Sequence, residues 1–328
     1  MGYGNAYPSL NSTPSILMFT SQTSARRSLR TVAICAVAAA SLNACSVRQF
    51  ALDQAANAIA GQGAGFSSDD DPELIRDAAP FSLKLIESFV AERPSHPGLL
   101  LAAAKGFTQY AYAFVQQDAD EIEDQDVNAA FRLRERAAKL YRRARDYGLQ
   151  GMGRNEAGFA AALRADPAKS LSRYGRDDVP LLYWTGAAWA GWIALSKDNA
   201  DAVADLPVAM AVLDRALALD EAHGSGALHS LFVTLEMSRP GNADQAAIKA
   251  REHFQRALQL SGGKLAGPYL ALAEAVCIPR QDRKEFESLL KSALAIDPDA
   301  MPEARLENHI MQRRARWLLE HTDKFFME

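Results

Sequence analysis

The stretch AREHFQRALQLSG, residues 250–262, decides the fold. Ala250, Phe254 four residues later and Ala257 three beyond that share one helical face, and Gly262 supplies a stop. Three other stretches repeat the form of a helix that closes on a small residue and a leucine-like residue before it breaks. They are AAKLYRRARDYGL at 137–149, AMAVLDRALALD at 209–220 and FESLLKSALAIDP at 286–298. Their aligned alanines are Ala144, Ala216, Ala257 and Ala293, so the intervals are 72, 41 and 36 residues, the first being twice the last.

A period near 36 residues is close to that of the tetratricopeptide repeat, a helical hairpin whose copies stack side by side. Phe286, Leu290 and Ala293 give a variant of the small–bulky–Ala pattern, and Pro298 ends that copy. GALHSLFVTLEM at 226–237 and AGPYLALAEAVCI at 266–278 stand where the first helices of two hairpins belong. Elsewhere the 3.6-residue period continues: Leu83, Ile86, Phe89 and Val90 share a face, as do Leu133, Ala137, Leu140 and Ala144. No stretch alternates with period two between turn signals. The reading is an all-α chain of tetratricopeptide-like helical hairpin repeats, an alpha-alpha superhelix.

Asp71 before Pro72 marks the first helix of the folded body, with proline at the first helical position. Upstream, RRSLRTVAICAVAAASLNAC at 26–45 has a basic front and an apolar run from Thr31 to Leu42, too short for a membrane span of roughly 20 residues. It reads as a cleaved signal. Leu42, Asn43, Ala44 and Cys45 resemble a bacterial lipobox, which implies lipidation of Cys45 and anchorage to a membrane. The expected division is a signal at 1–44 with an extended start ahead of Met18, a lipidated tether at 45–70 and a helical-repeat domain at 71–328. Ser46 lacks the aspartate associated with inner-membrane retention, which favours the outer membrane on the periplasmic side.

Without residues 1–44 the chain carries 33 basic and 40 acidic residues, a formal charge of minus 7. No basic stretch interleaved with aromatics follows, so nucleic acid is not an expected partner. Cys35 leaves with the signal and Cys45 is taken by lipid, so Cys277 has no internal disulfide partner; its apolar helical setting suits a buried thiol. The acidic run 118–126, DADEIEDQD, lacks the central glycine and terminal glutamate of a calcium loop and reads as a solvated helix end or turn. The six histidines make no HExxH pattern, and neither a G-x-S-x-G elbow nor a phosphate-binding loop occurs. The sequence therefore points to a non-enzyme, with no cofactor and no metal site.

VPLLYWTGAAWAGWIALSKD at 179–198 reads as one helix holding three of the four tryptophans, with Trp184, Ala188 and Trp192 on one stripe and Trp189 off it. Packing between repeats accounts for such rings, and so does the wall of an apolar cavity.

Taken together, the lipobox, YWTGAAWAGWIALS at 183–196, QDRKEFESLLKSALAIDP at 281–298 and RLENHIMQRRARWLLEHTDKFF at 305–326 make the chain similar to the TatT lipoprotein component of tripartite ATP-independent periplasmic (TRAP) transporters. The resemblance runs from about Cys45 to the end. It implies a periplasmic lipoprotein of cryptic repeat hairpins, a homotrimer with a channel or cavity through each protomer. It also implies work with a TRAP-type substrate-binding protein that delivers an apolar or amphipathic small ligand. The family carries over no catalytic or ligand residues. Tyr183, Trp184, Trp189 and Trp192 are positional candidates for lining a ligand route, and Arg280, Asp282 and Arg283 for a surface or partner contact. A protein-binding scaffold of the cell envelope is the alternative, since repeat hairpins often present a concave face to protein segments.

Overall fold

The computed structural model describes residues 63–327 apart from 155 and 240, with a few isolated positions between 54 and 61. The signal, the lipobox and Cys45 lie outside the described residues. Every regular element among the described residues is helical.

Ten helices carry the architecture. Helix α1 is Pro72–Glu92, capped by Asp71, whose side chain accepts from the amides of Glu73 and Leu74 at 3.0 Å. Helix α2, Pro97–Ala111, runs on through a π-helical turn, Tyr112–Gln116, into Gln117–Ile122. Helix α3 is Val127–Gly153, started by Asp126 and stopped by Arg154 in the left-handed region at φ 47°. Then come α4 (Val179–Ala194), α5 (Leu206–Leu219), α6 (Ala227–Glu236) and α7 (Ala243–Ser261). Helix α8, Gly267–Leu272, continues through a second π-helical turn, Ala273–Cys277, and α9 (Arg283–Leu294) and α10 (Arg305–Glu320) follow.

Each helix packs on the next, and the even-numbered helices also pack on one another: α2 on α4, α6 on α8 and α8 on α10. All four stretches aligned in the sequence fall on odd-numbered helices, α3, α5, α7 and α9. Their alanines Ala144, Ala216, Ala257 and Ala293 are at most 1% exposed, the small sites where a partner helix comes close. The 72-residue interval between Ala144 and Ala216 is not two full hairpins. Between α3 and α4 stand two short α-helices, Phe159–Ala165 and Pro167–Leu171, packed on each other, and the 3-10 turn Arg176–Asp178, so the extra length holds a shortened pair. Helix α4 ends at Ala194, before Lys197, because Asn199 already caps the next short helix, Ala200–Ala204.

Close approach is most demanding around α4. A Cβ at Gly148 of α3 would lie 2.2 Å from Thr185 Oγ1, and one at Gly186 of α4 would lie 2.4 Å from Leu213 Cγ of α5. Glycine is required there for space.

The last helix returns to the first ones. Arg313 of α10 donates to Asp118 at 3.0 Å and to Glu121 at 3.1 Å, and Arg314 reaches Asp120 at 3.0 Å. Lys324 pairs with Asp124, and Ile310 joins Ile75 and Phe114 in an apolar cluster. The acidic run is thus a helix end and turn, exposed at 124–126 as expected, but Asp118, Asp120 and Glu121 are half-buried and paired with Arg313 and Arg314 from nearly 200 residues downstream. The chain of packed helices thus comes back on itself in a circuit, with α10 set against α1 and the extension of α2.

Candidate functional site

The even-numbered helices bring polar groups to the inside of that circuit in two layers. On α2, Lys105 and Tyr112 are seven residues apart, two turns and about 10.5 Å along one face. The same spacing separates Gly267 from Glu274 on α8 and Glu307 from Arg314 on α10. In one layer, a Cβ at Gly267 would stand 3.4 Å from Glu307 Oε1 and 3.7 Å from Ser230 Oγ of α6, and Glu307 acts on the charge of Lys105. In the other, Arg314 donates to Glu274 at 2.7 Å, and Tyr112 lies beside both, its hydroxyl 3.8 Å from Met311 Sδ. Both π-helical turns, Tyr112–Gln116 and Ala273–Cys277, fall in this second layer.

Glu307 is exposed, and Tyr112, Tyr183 and Trp184 are half-buried. The chamber is the lining that these contacts draw together: Lys105 at Trp184, Glu307 at Gly267 and Tyr112 at Met311. Burial pushes the Glu307 carboxyl above the usual carboxylate range, opposed by Lys105. Burial likewise lowers Lys105, opposed by Glu307, and lowers His223, opposed by Asp220. Both chamber tyrosines are raised by burial and stay neutral hydroxyls.

Tyr183 and Trp184 of α4 belong to this chamber. Their rings meet edge to face at 4.8 Å, Tyr183 meets His223 at 5.5 Å, and the Lys105 ammonium stands 5.9 Å over the Trp184 ring. The other two tryptophans stand elsewhere. Trp189 is fully buried between α4 and α5, its indole N–H donating to Asp205 at 3.2 Å with Arg164 against its face. Burial pushes the Asp205 carboxyl up, but the paired bonds from Arg164 at 2.7 and 2.8 Å outweigh this and hold it below the ordinary value. Trp192 is half-buried, with the Arg145 guanidinium 4.2 Å over its ring, in the contact of α4 with α3. Arg280, Asp282 and Arg283 sit together on the outer surface. Arg280 pairs with Asp244 at 2.7 Å, Asp282 caps α9, and Arg283 pairs with Glu287 and Asp323 at 3.1 and 2.8 Å. Cys277 is buried, and burial together with Glu285 raises its thiol to about 12, which makes it a poor nucleophile.

Lys105, Tyr112, Glu274, Glu307 and Arg314 escaped the sequence reading. Two left a signal: Lys105 is the single charge in PGLLLAAAKGFTQYA, and Glu274 the single charge in GPYLALAEAVC. A charge alone on an apolar helix points into something other than oil. Glu307 and Arg314 were hidden among the many charges of α10.

A family model for the TRAP transporter T-component matches residues 68–326. The chain belongs to that family. It is also 30% identical to an uncharacterized protein of Treponema pallidum (strain Nichols) over 267 residues, covering 80% of this chain and 83% of the relative. Family membership makes the chain an accessory component of a TRAP transport system. All ten helices, and with them both layers of the chamber, fall inside the span that the T-component model matches. No helix among the described residues is long and apolar enough to cross a membrane.

Proposed function

We propose that the chain is a lipid-anchored periplasmic T-component whose chamber takes up an apolar or amphipathic small ligand and passes it on together with a TRAP-type substrate-binding protein. The observation that carries this reading is the edge-to-face pair of Tyr183 and Trp184 at 4.8 Å with the Lys105 ammonium over the Trp184 ring, aromatic surface beside a polar group. Ligand sites have that composition: apolar walls for affinity and sparse polar groups for orientation. In this reading Cys45 holds the chain to the outer membrane, the assembly is a homotrimer, and the circuit of hairpins is tetratricopeptide-like.

Native mass spectrometry of the protein extracted from its own membranes tests the reading. The expected result is a trimer mass, a lipid adduct removed by Cys45→Ala, and a retained small molecule released on unfolding. A ligand-free protein that also fails to take up 1-octanol or any amphipathic probe would sink it.

The scaffold reading rests on a separate observation. Leu74 and Phe81, seven residues apart on α1, are 57% and 74% exposed, an apolar pair on the outside of the circuit that suits a protein contact. Capture of a protein partner abolished by Phe81→Glu, with no ligand in the chamber, would favour it.

A further inference from the structure

Gln117, in the extension of α2, is 2% exposed, yet neither its amide nitrogen nor its amide oxygen has a hydrogen-bond partner among the described residues. A buried amide left unpaired is costly, and folded proteins rarely keep one without a use for it. Its neighbours one turn on, Asp120 and Glu121, reach Arg314 at 3.0 Å and Arg313 at 3.1 Å, so Gln117 lies on the side of its helix that faces α10. One turn back, the π-helical turn bonds the Gln117 N–H to the Tyr112 carbonyl. The Tyr112 hydroxyl stands beside the Gln117 amide without hydrogen-bond geometry and reaches Met311 Sδ of α10 at 3.8 Å. Arg314, three residues beyond Met311, brings a second open donor: its Nε and Nη2 are taken by Glu274 and Asp120, but its Nη1 is buried with no partner. Contacts at 3.0 and 3.8 Å between the same two helices thus bracket the amide and the guanidinium.

Resting on the reading of the chamber as a ligand site, we infer that Gln117, Arg314 and Tyr112 form the seat of an uncharged head group that both accepts and donates hydrogen bonds, as a carboxamide does. The open atoms set this polarity. Arg314 Nη1 and Gln117 Nε2 call for an acceptor, Gln117 Oε1 calls for a donor, and the Tyr112 hydroxyl, held only by a weak thioether acceptor, serves either way. A carboxylate is opposed, because Arg314 already carries Glu274 and Asp120 and a third carboxylate would meet two like charges. An ammonium is opposed too, since it brings a cation against the guanidinium and finds one open acceptor, Gln117 Oε1. A head group without hydrogen bonds leaves the buried atoms unpaired and gains nothing from them. Lys105, over the Trp184 ring, lies two turns or about 10.5 Å along the same face of α2 from Tyr112, which leaves the aromatic pair for the ligand's apolar part.

The test uses the full chain in lipid nanodiscs at neutral pH and three probes with the same tail: octanamide, octanoate and octylamine. Binding is measured by calorimetry against empty nanodiscs. The expected result is octanamide binding about tenfold or more tighter than either charged probe. Gln117→Met keeps the length of the side chain but loses the amide. It should abolish that preference and leave the melting temperature of the probe-free protein unchanged or higher, since the amide it deletes has no partner. Tyr112→Phe, the second variant, should weaken octanamide by a smaller factor and leave octanoate and octylamine as they were. Equal binding of the three probes, or octanamide binding untouched by Gln117→Met, would mean that ordered water alone satisfies the amide; the seat is then wrong while the chamber stands. The same holds if Gln117→Met lowers the melting temperature and weakens all three probes equally, which marks a structural role. If no probe binds, both readings fall.

Discussion

Arg313 donates to Asp118 across 3.0 Å and 195 residues of chain, and that contact joins the last long helix to the extension of the second. The same guanidinium reaches Glu121 at 3.1 Å, and Asp118 also accepts from Arg76 of α1. Three helices therefore meet at one half-buried group of charges, where the last long helix is joined to the first two. Removing either partner costs the other one of its contacts, Asp118 keeping Arg76 and Arg313 keeping Glu121, so Arg313→Ala should destabilise the protein by about 1 kcal/mol in urea unfolding. A double-mutant cycle with Asp118→Ala should show a coupling of about 1 kcal/mol. Independent effects of the two substitutions would mean that the contact adds nothing to closure.

Gly186 tests the close approach of α4 and α5. Alanine is favoured over glycine inside a helix by up to about 1 kcal/mol. The added methyl, however, would stand 2.4 Å from Leu213 Cγ, and Leu213 is fully buried with no room to retreat. Overpacking of that kind costs about 1–3 kcal/mol, so the steric effect should win and Gly186→Ala should lower the melting temperature. A rise would show that α5 yields more easily than its burial suggests.

The two chemically similar truncations Trp189→Ala and Trp184→Ala should separate core from chamber. Trp189 has no exposed surface and loses packing, its bond to Asp205 and its contact with Arg164, a loss of roughly 3–5 kcal/mol. Trp184 keeps one side open, so its removal should destabilise less while weakening the binding of a fluorescent fatty-acid-like probe. Equal losses of stability, with probe binding untouched by Trp184→Ala, would move Trp184 into the core as well.

His229 and His253 give a pH dependence. Their Nδ1 atoms are 2.8 Å apart, so one ring donates and the other accepts, and at least one must be neutral. Burial lowers both from 6.5; Glu221 opposes this at His229, and Glu236 and Glu252 oppose it at His253, while Arg256 and Arg239 add to it. A depressed folded-state value means that the stabilisation is present above the unfolded value and is lost as pH falls through the folded one. Between pH 7.5 and about 5.5 the melting temperature should therefore fall more steeply for the unsubstituted protein than for His253→Gln. Comparing the two cancels groups of opposite sign, such as Glu307. Parallel slopes would rule the pair out as the source.

The helices and their stacking order were legible in the chain. Ala250, Phe254 and Ala257 predict a helix with one crowded face, and all three are buried. Asp71 with Pro72 marks a helix start that its side-chain cap bears out. The 72-residue interval, twice the last one, holds a shortened pair of helices that adds length without adding a full helix to the circuit.

The site was far less legible. Tyr183 and Trp184 were picked out with Trp189 and Trp192 because aromatic residues are conspicuous, but a helix points its side chains in all directions. Only the packing of α4 against α3 and α5 decided that the first two rings face the chamber and that Trp189 faces the core. The run DADEIEDQD reads as solvated because local sequence shows its charge and not its distant partners.

What the sequence determined by itself is whatever depends on neighbours within a few turns: the helical period, the caps, the small sites and the repeat interval. What only the tertiary structure decided is that the last long helix returns to the first ones, and that Tyr183 and Trp184 stand apart from the fully buried Trp189. Closure depends on contacts such as Arg313 with Asp118, whose partners are 195 residues apart. Their meeting is the accumulated result of many small rotations between successive hairpins, and no local pattern in the chain records that sum.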